Sequence, residues 1–289
     1  MKNYIFINEK YYSINKAFIP VTDAGFLYGD GLFETLKAYK GKIFTFDRHL
    51  QRLFVSMKSL KYNPQFDASY IKSETVKLME MNNLLNKDAY VKILVTRGAY
   101  IDRLKFNFWS KPNLIITAGN FQLYHDNFYK DGVKIVSSSI KRNAVGNELY
   151  KYKMLNYFEN IFAKNEAYIN EAQEAIFLTK DRVVLEGATS NIFCVKNGKV
   201  FTPPITQNIL PGITREVVIE ICLTNNLKFS EKRLHYFNLL EADEIFITNS
   251  LIEIMPVKQV DSFKVSDGRI PGEITKKIMG FYRKIADSI

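Results

Sequence analysis

Ala175-Ile176-Phe177-Leu178-Thr179-Lys180-Asp181-Arg182-Val183-Val184-Leu185-Glu186-Gly187-Ala188-Thr189-Ser190-Asn191-Ile192-Phe193-Cys194-Val195-Lys196-Asn197-Gly198-Lys199-Val200-Phe201-Thr202 reads as four short strands parted by glycine and Asn-Gly turns. Upstream, Val133–Ser138 has strand character and Lys153–Ala167 has helical spacing. Downstream, a helix over Thr214–Leu223, a strand over Glu244–Thr248 and a last helix near Pro271–Ala286 complete an α/β domain. In the middle of the quoted run stands Glu186, followed by small polar residues. A carboxylate is expensive to bury between apolar strands, and a buried one can be retained to pair with a protonated ligand nitrogen. A β-turn with an exposed glutamate accounts for the same letters, and the local pattern leaves both open.

The first part of the chain is organised differently. Tyr4–Asn8 and Lys10–Ile14 look like a hairpin, and Gly31–Tyr39 looks like a buried strand after the turn-rich Asp23–Asp30. Asp47 is the expected cap of a helix whose Leu50, Leu53, Phe54, Met57 and Leu60 recur at helical spacing. A second helix over Tyr70–Leu85 and strands over Tyr90–Thr96 and Asn113–Ala118 follow. The expected organisation is α+β: a small domain over 1–120, a join over 121–131, and a larger domain over 132–289. A crevice between two such domains is a usual place for a site.

Bulk composition narrows the function classes. With 47% hydrophobic and 24% charged residues the chain is globular, and it holds no apolar run of membrane-spanning length. Its first residues turn polar too early for a signal peptide, so a soluble cytoplasmic protein is expected. Cys194 and Cys222 read as buried, reduced thiols, and His49, His125 and His235 are too scattered for a metal site. The net charge of +10 comes from lysines spread among acids, not from a basic run interleaved with aromatics, which argues against nucleic-acid binding.

Three further stretches can carry chemistry. Leu210-Pro211-Gly212-Ile213-Thr214-Arg215 is a turn running into a helix, where a glycine lets a ligand approach and unpaired N–H groups face an anion. A plain capped helix is the alternative. Lys153, in Tyr150-Lys151-Tyr152-Lys153-Met154-Leu155-Asn156-Tyr157, opens an apolar-striped helix. A desolvated lysine there is a nucleophile, whereas a solvated one is inert. In Phe46-Asp47-Arg48-His49-Leu50-Gln51-Arg52-Leu53, Arg48 and Arg52 share a helix face and can hold a phosphate; two surface arginines, one paired with Asp47, is the other reading.

Taken together and in this order, these motifs resemble the class IV pyridoxal-phosphate enzymes, which include branched-chain and D-amino-acid aminotransferases and aminodeoxychorismate lyase. The likeness runs from Tyr28-Gly29-Asp30-Gly31-Leu32-Phe33-Glu34-Thr35 to Glu253-Ile254-Met255-Pro256-Val257. It implies fold type IV, with a small N-terminal α/β domain and a larger, barrel-like C-terminal one. It implies pyridoxal 5′-phosphate as cofactor, with Lys153 as the Schiff-base lysine and Glu186 as the acid on the pyridine nitrogen. Arg52, rather than Arg48, matches the phosphate-binding arginine, and Ile213 and Thr214 match the helix-start amides. Ser250 stands where a threonine is common, Thr189 and Ser190 are further cofactor candidates, and Arg142 is a candidate contact to the phenolic oxygen. Homodimers are the family's habit, with the loop Arg97–Trp109 expected to complete a neighbour's site.

The reaction is less legible. Aminotransferases return a keto acid, and the lyase eliminates pyruvate. Thr35, after Phe33 and Glu34, and the stretch Thr248-Asn249-Ser250-Leu251 resemble the lyase, whereas Glu253–Val257 resembles the aminotransferases, many of which carry Phe-Glu-Thr too. The expectation is an aminotransferase acting on an amino acid and a 2-oxo acid, of branched-chain, glutamate or D-amino-acid type, with the lyase as alternative. Phe33 and Thr35 are expected to face substrate, and Arg97 or Arg103 to meet its carboxylate. A non-catalytic basic binding module is a third reading, opposed by Lys153, Glu186 and Arg52 standing in family register.

Overall fold

The computed structural model describes residues 3–99, 111–122, 124–143, 146–265 and 269–289. They fall into two compact units: Met1–Gln122 with Tyr152–Tyr157 and Ile289, and Leu123–Lys151 with Phe158–Ser288. Tyr152–Tyr157, and Lys153 with it, thus belongs to the first unit and not to the 132–289 domain in which the sequence reading put it.

Among the described residues the first unit has one sheet of β1 (Tyr4–Ile7), β2 (Lys10–Ser13), β3 (Gly31–Tyr39), β4 (Lys42–Ile43), β5 (Ala89–Thr96) and β6 (Asn113–Asn120), in the order β2-β1-β6-β5-β3-β4. Its pairings are antiparallel, with Phe33 opposite Leu94 and Thr35 opposite Lys92. Alternation along β3 turns Leu32 and Leu36 into a core with Val91, Ile93 and Val95. That core is roofed by Leu50, Leu53 and Met57 of α2 (Phe46–Ser59, after a short α1 at Ala24–Tyr28) and by Ile71, Leu78 and Met79 of α3 (Ala68–Met81). Deleting one such side chain to alanine costs roughly 2–5 kcal/mol.

Two helix starts differ from expectation. Asp47 does not cap α2: Thr45 holds the cap position, and Asp47 sits in the first turn, paired with Lys72. α3 begins at Ala68 because the Asp67 side chain accepts the Tyr70 N–H at 2.7 Å.

The second unit holds α4 (Asp126–Asp131), β7 (Val133–Lys141), α5 (Phe158–Ile169), β8 (Glu174–Leu178), β9 (Val184–Gly187), β10 (Asn191–Lys196), β11 (Lys199–Thr202), α6 (Ile213–Thr224), β12 (Phe229–Glu231), α7 (Tyr236–Leu240), β13 (Glu244–Asn249), β14 (Glu253–Val260), β15 (Phe263–Lys264) and α8 (Glu273–Asp287). Its main sheet runs β12-β11-β10-β13-β14-β7-β8-β9. The four strands expected over 175–202 are β8 to β11. Cys194 and Cys222 are buried and unpaired, with burial pushing their thiols up to about 12 and about 11. No helix among the described residues is long and apolar enough to cross a membrane.

The helix expected from Lys153 begins only at Phe158. The Phe33 N–H donates to the Lys153 carbonyl at 2.9 Å and the Leu155 N–H to the Gly31 carbonyl at 2.9 Å. These groups are bonded to β3 and are unavailable to a helix, so tertiary pairing overrides the local apolar stripe.

The turn before β3 is built on Asp23, 1% exposed. It accepts the N–H groups of Gly25 and Phe26 (2.8 and 3.3 Å), the Thr96 hydroxyl (2.6 Å) and the Asn113 amide (2.7 Å). Asp23→Ala removes a cap and orphans buried donors, and should lower unfolding free energy by about 3 kcal/mol in urea titration. A loss below about 1 kcal/mol would show that the turn does not depend on this carboxylate.

Candidate active site

Lys153 lies on the edge of the first unit's sheet, aligned by its backbone pairing to β3. Its Nζ is 4.4 Å from the centroid of the Phe33 ring and 5.8 Å from that of Tyr157. The two rings meet edge to face, 5.4 Å apart. Lys92 Nζ stands 4.8 Å from the same Phe33 ring, and desolvation lowers its pKa. Thr35, paired with Lys92, points to the same face of the sheet as Phe33. The expected substrate residues Phe33 and Thr35 and the expected nucleophile therefore share one aromatic-walled face.

Glu34 points the opposite way, towards α2, and is 1% exposed. Arg52 grips it with Nε at 2.7 Å and Nη2 at 2.6 Å, and His49 Nδ1 lies 2.7 Å from Oε2. Burial alone would raise the Glu34 carboxyl, but the Arg52 charge and the His49 hydrogen bond outweigh it and hold it at about 2. Burial pushes His49 below its ordinary value, against the opposing pull of Glu34. A neutral imidazole facing a carboxylate donates from that nitrogen, so Nδ1 carries the proton. Arg52 is thus no solvated arginine: a bidentate fork sets its orientation. The helix-face spacing offered Arg48 and Arg52 alike and the family resemblance chose Arg52, but nothing in the sequence marked Glu34 and His49 as its partners.

In the second unit Glu186 is buried near the end of β9, as the first of its two sequence readings required. Its Oε1 accepts from Arg142 Nη1 at 3.1 Å and its Oε2 from the Leu210 N–H at 3.0 Å. A carboxylate has about four acceptor sites, which suits it to bind several donors at once. Arg142 also donates to Glu159 and Asn160, each at 3.0 Å, and lies 3.5 Å over the Phe177 ring. Arg142, the candidate contact to the phenolic oxygen, is thus bonded in this structure to the acid expected at the ring nitrogen.

The start of α6 suits an anion. Gly212 occupies the cap position with no side-chain cap bond, and the first amides of a helix, here including Ile213 and Thr214, have no partner within it. A Cβ on Gly212 would come within 1.9 Å of Asn191 Oδ1, so the backbone must stay bare there. Asn191 Nδ2 also donates to the Leu210 carbonyl at 3.0 Å, and Asn191 is paired across β10 and β13 with Thr248. Paired residues face the same side of a sheet. On that side the buried Thr248 Oγ1 has no hydrogen-bond partner among the described residues. Ser250 is half-buried in the turn that follows, where Asn249 Oδ1 accepts the N–H groups of Leu251 and Ile252, both at 2.9 Å.

Other expected contacts have different work. The hydroxyls of Thr189 and Ser190 donate to Glu174 at 2.5 and 3.2 Å. A hydroxyl has one proton, so neither side chain can also donate to a phosphate. Arg97 is buried, with Nε on Asp30 at 2.6 Å, further bonds to the carbonyls of Leu60 and Lys61, and its guanidinium 4.0 Å over the Tyr62 ring. Through these bonds it braces the first unit. Arg103 and most of the loop expected to complete a neighbour's site, residues 100–110, lie outside the described residues.

Residues 31–260 match the family model described as amino-transferase class IV. A Methanocaldococcus jannaschii protein provisionally named as a branched-chain-amino-acid aminotransferase is 35% identical, over 97% of this chain and 96% of its own. The aminodeoxychorismate lyase of Bacillus subtilis is 31% identical, over 97% of this chain and 94% of its own. The Escherichia coli branched-chain amino acid aminotransferase has the same fold, with a TM-score of 0.90 and 28% identity, covering 98% of this chain and 94% of that one. The fold is type IV, as the motifs implied.

The Glu34 fork generates a pH prediction. A carboxyl depressed from 4.5 to about 2 contributes stability that is fully present above about pH 4.5 and lost as the pH falls through about 2. The contribution is about 3 kcal/mol. Denaturation between pH 5 and 2 should show this loss, and Glu34→Gln should be less stable at pH 7 with a flatter acid limb. An unchanged acid limb in Glu34→Gln would assign acid sensitivity to other groups.

Proposed function

The chain belongs to the class IV aminotransferases, and from that premise we propose that it moves an amino group from an amino acid to a 2-oxo acid, using pyridoxal 5′-phosphate held by Lys153. The observation that carries this reading is the setting of Lys153. A lysine at a helix start is solvated and mobile, whereas this one is fixed to β3 by its backbone and lies against Phe33 and Tyr157.

When bound, the cofactor supplies an aldehyde for amines and a ring that accepts electrons. Lys153 Nζ would hold the cofactor by its aldehyde end and, when free, would serve as the base for the substrate Cα proton. Glu186, oriented by Arg142 and Leu210, would accept the ring N–H. The amides of Ile213 and Thr214 and the Ser250 hydroxyl bind phosphate with fixed dipoles that need no reorganisation. Arg52, oriented by Glu34, is the first unit's phosphate-binding candidate by the family resemblance. The bare backbone at Gly212 and the orphan hydroxyl of Thr248 fit such a group.

Transamination is favoured over elimination by the likeness to branched-chain enzymes in sequence and in fold. Thr35, on the Phe33 face, and the likeness to aminodeoxychorismate lyase favour elimination of pyruvate as the second reading. We further propose a cytoplasmic homodimer. The two unpaired thiols suit a reducing compartment, and exposed Phe18, Val21 and Phe26 in the first unit suit burial against a second copy.

Excess L-glutamate should bleach the yellow band of the bound cofactor towards the near ultraviolet. An unchanged band would sink L-specific transamination, and pyruvate release from aminodeoxychorismate would then separate elimination from a D-specific donor. Lys153→Ala should abolish the yellow band, and its retention would disprove the lysine assignment.

A further inference from the structure

We propose that Glu174 is the positioning residue of the second unit's cofactor-binding elements, acting on Glu186 and the start of α6 through the turn Gly187–Ser190. The inference rests on the pyridoxal-phosphate reading and adds a residue that touches neither cofactor nor substrate.

Glu174 opens β8 and is 2% exposed. Its Oε2 accepts three bonds from one turn: the Thr189 hydroxyl at 2.5 Å, the Thr189 N–H at 3.2 Å and the Ser190 hydroxyl at 3.2 Å. Its Oε1 accepts the Ala175 N–H at 3.0 Å, and Lys164 Nζ lies 3.6 Å away. A buried carboxylate needs this density of donors, and bonds to a charged acceptor are about twice as strong as neutral ones. Most of the donors come from the turn, so the charge of Glu174 is what holds the turn in place.

Gly187 permits the arrangement. A Cβ there would stand 2.2 Å from Ser190 Oγ and 3.2 Å from Glu174 Cγ, so only glycine lets the turn close over the carboxylate. Glu186 is the next residue back. The Gly187 N–H donates to the Ser190 carbonyl and the Ala188 N–H to the Ala175 carbonyl, both at 2.7 Å. Asn249 Nδ2 donates to the Thr189 carbonyl at 3.0 Å, which ties the Ser250 turn to the same point. Beyond the turn, Asn191 holds the Leu210 carbonyl while Glu186 holds the Leu210 N–H. A shift of the Thr189–Ser190 turn therefore moves Glu186, the approach to α6 and the Ser250 turn together.

Glu174→Gln keeps the shape but loses the charge, and with its one oxygen turned to Thr189 and Ser190 it sets an NH2 group against the Ala175 N–H and Lys164. In the holoenzyme it should weaken cofactor affinity by about 10-fold or more, as losing a partner that orients a ligand does in metal sites. It should also move the yellow band or its pH midpoint, because the Glu186 hold on the ring nitrogen loosens. In the cofactor-free chain the amides of 187–191 should lose hydrogen-exchange protection. The double variant Thr189→Val with Ser190→Ala should reproduce these changes, and Glu174→Gln added to it should cost less than the sum. Parent affinity and spectrum in Glu174→Gln would overturn the proposal whatever happens to the melting temperature. Should that variant fail to fold, parent behaviour of the double variant overturns it equally. Absence of cofactor binding by the parent chain would overturn the proposed function, and this inference with it.

Discussion

A carboxylate withdrawn from water must be given donors or charges, or it costs several kcal/mol. Four such groups organise this protein. Asp23 builds the turn before β3, Glu34 orients Arg52, Glu174 closes the turn after β9, and Glu186 ties that turn to the approach of α6. Each is buried, and each draws donors from more than one segment of the chain. Such a network is costly when half satisfied, so each carboxylate admits little variation in how its neighbours are placed.

Preorganisation is the functional consequence. A site that handles an anionic cofactor gains from donors already aimed before the ligand arrives, because nothing need reorient during the reaction. In the first unit the amine of Lys153 is positioned by a strand and two rings, and Arg52 by a carboxylate fork. In the second, Glu186 is held by Arg142 and the Leu210 amide, while the start of α6 keeps a bare backbone. Membership of a family that contains both transaminating and eliminating enzymes fits this picture: the machinery for holding the cofactor is common, and the outcome depends on which groups face the reacting carbon.

The contrast between Arg97 and Arg52 illustrates how context assigns a side chain its work. Both are held by carboxylates, Asp30 and Glu34. Arg97 is additionally stacked on Tyr62 and bonded to two carbonyls of one loop, which makes it an internal brace. Arg52 lies on α2, whose preceding turn carries His49 to the same glutamate. Residue type alone does not separate the two.

Periodicity and turn chemistry act locally, and they were legible. The apolar run of Gly31–Tyr39, the α2 stripe of Leu50, Leu53 and Met57, and the four strands around Asn197-Gly198 stand where the letters put them. The family motifs, read in order, identified the family. Long-range bonds were not legible, because a donor does not announce its acceptor. The helix expected from Lys153 gave way to pairing with β3, 120 residues earlier in the chain by the Phe33–Lys153 bond. The hydroxyls of Thr189 and Ser190 turned from the expected ligand to Glu174, a residue that no motif singled out. By itself the sequence determined the elements and the chemistry available to this protein. Only tertiary structure decided which buried charge each donor serves, since desolvation sets that choice and depends on neighbours the local sequence does not contain.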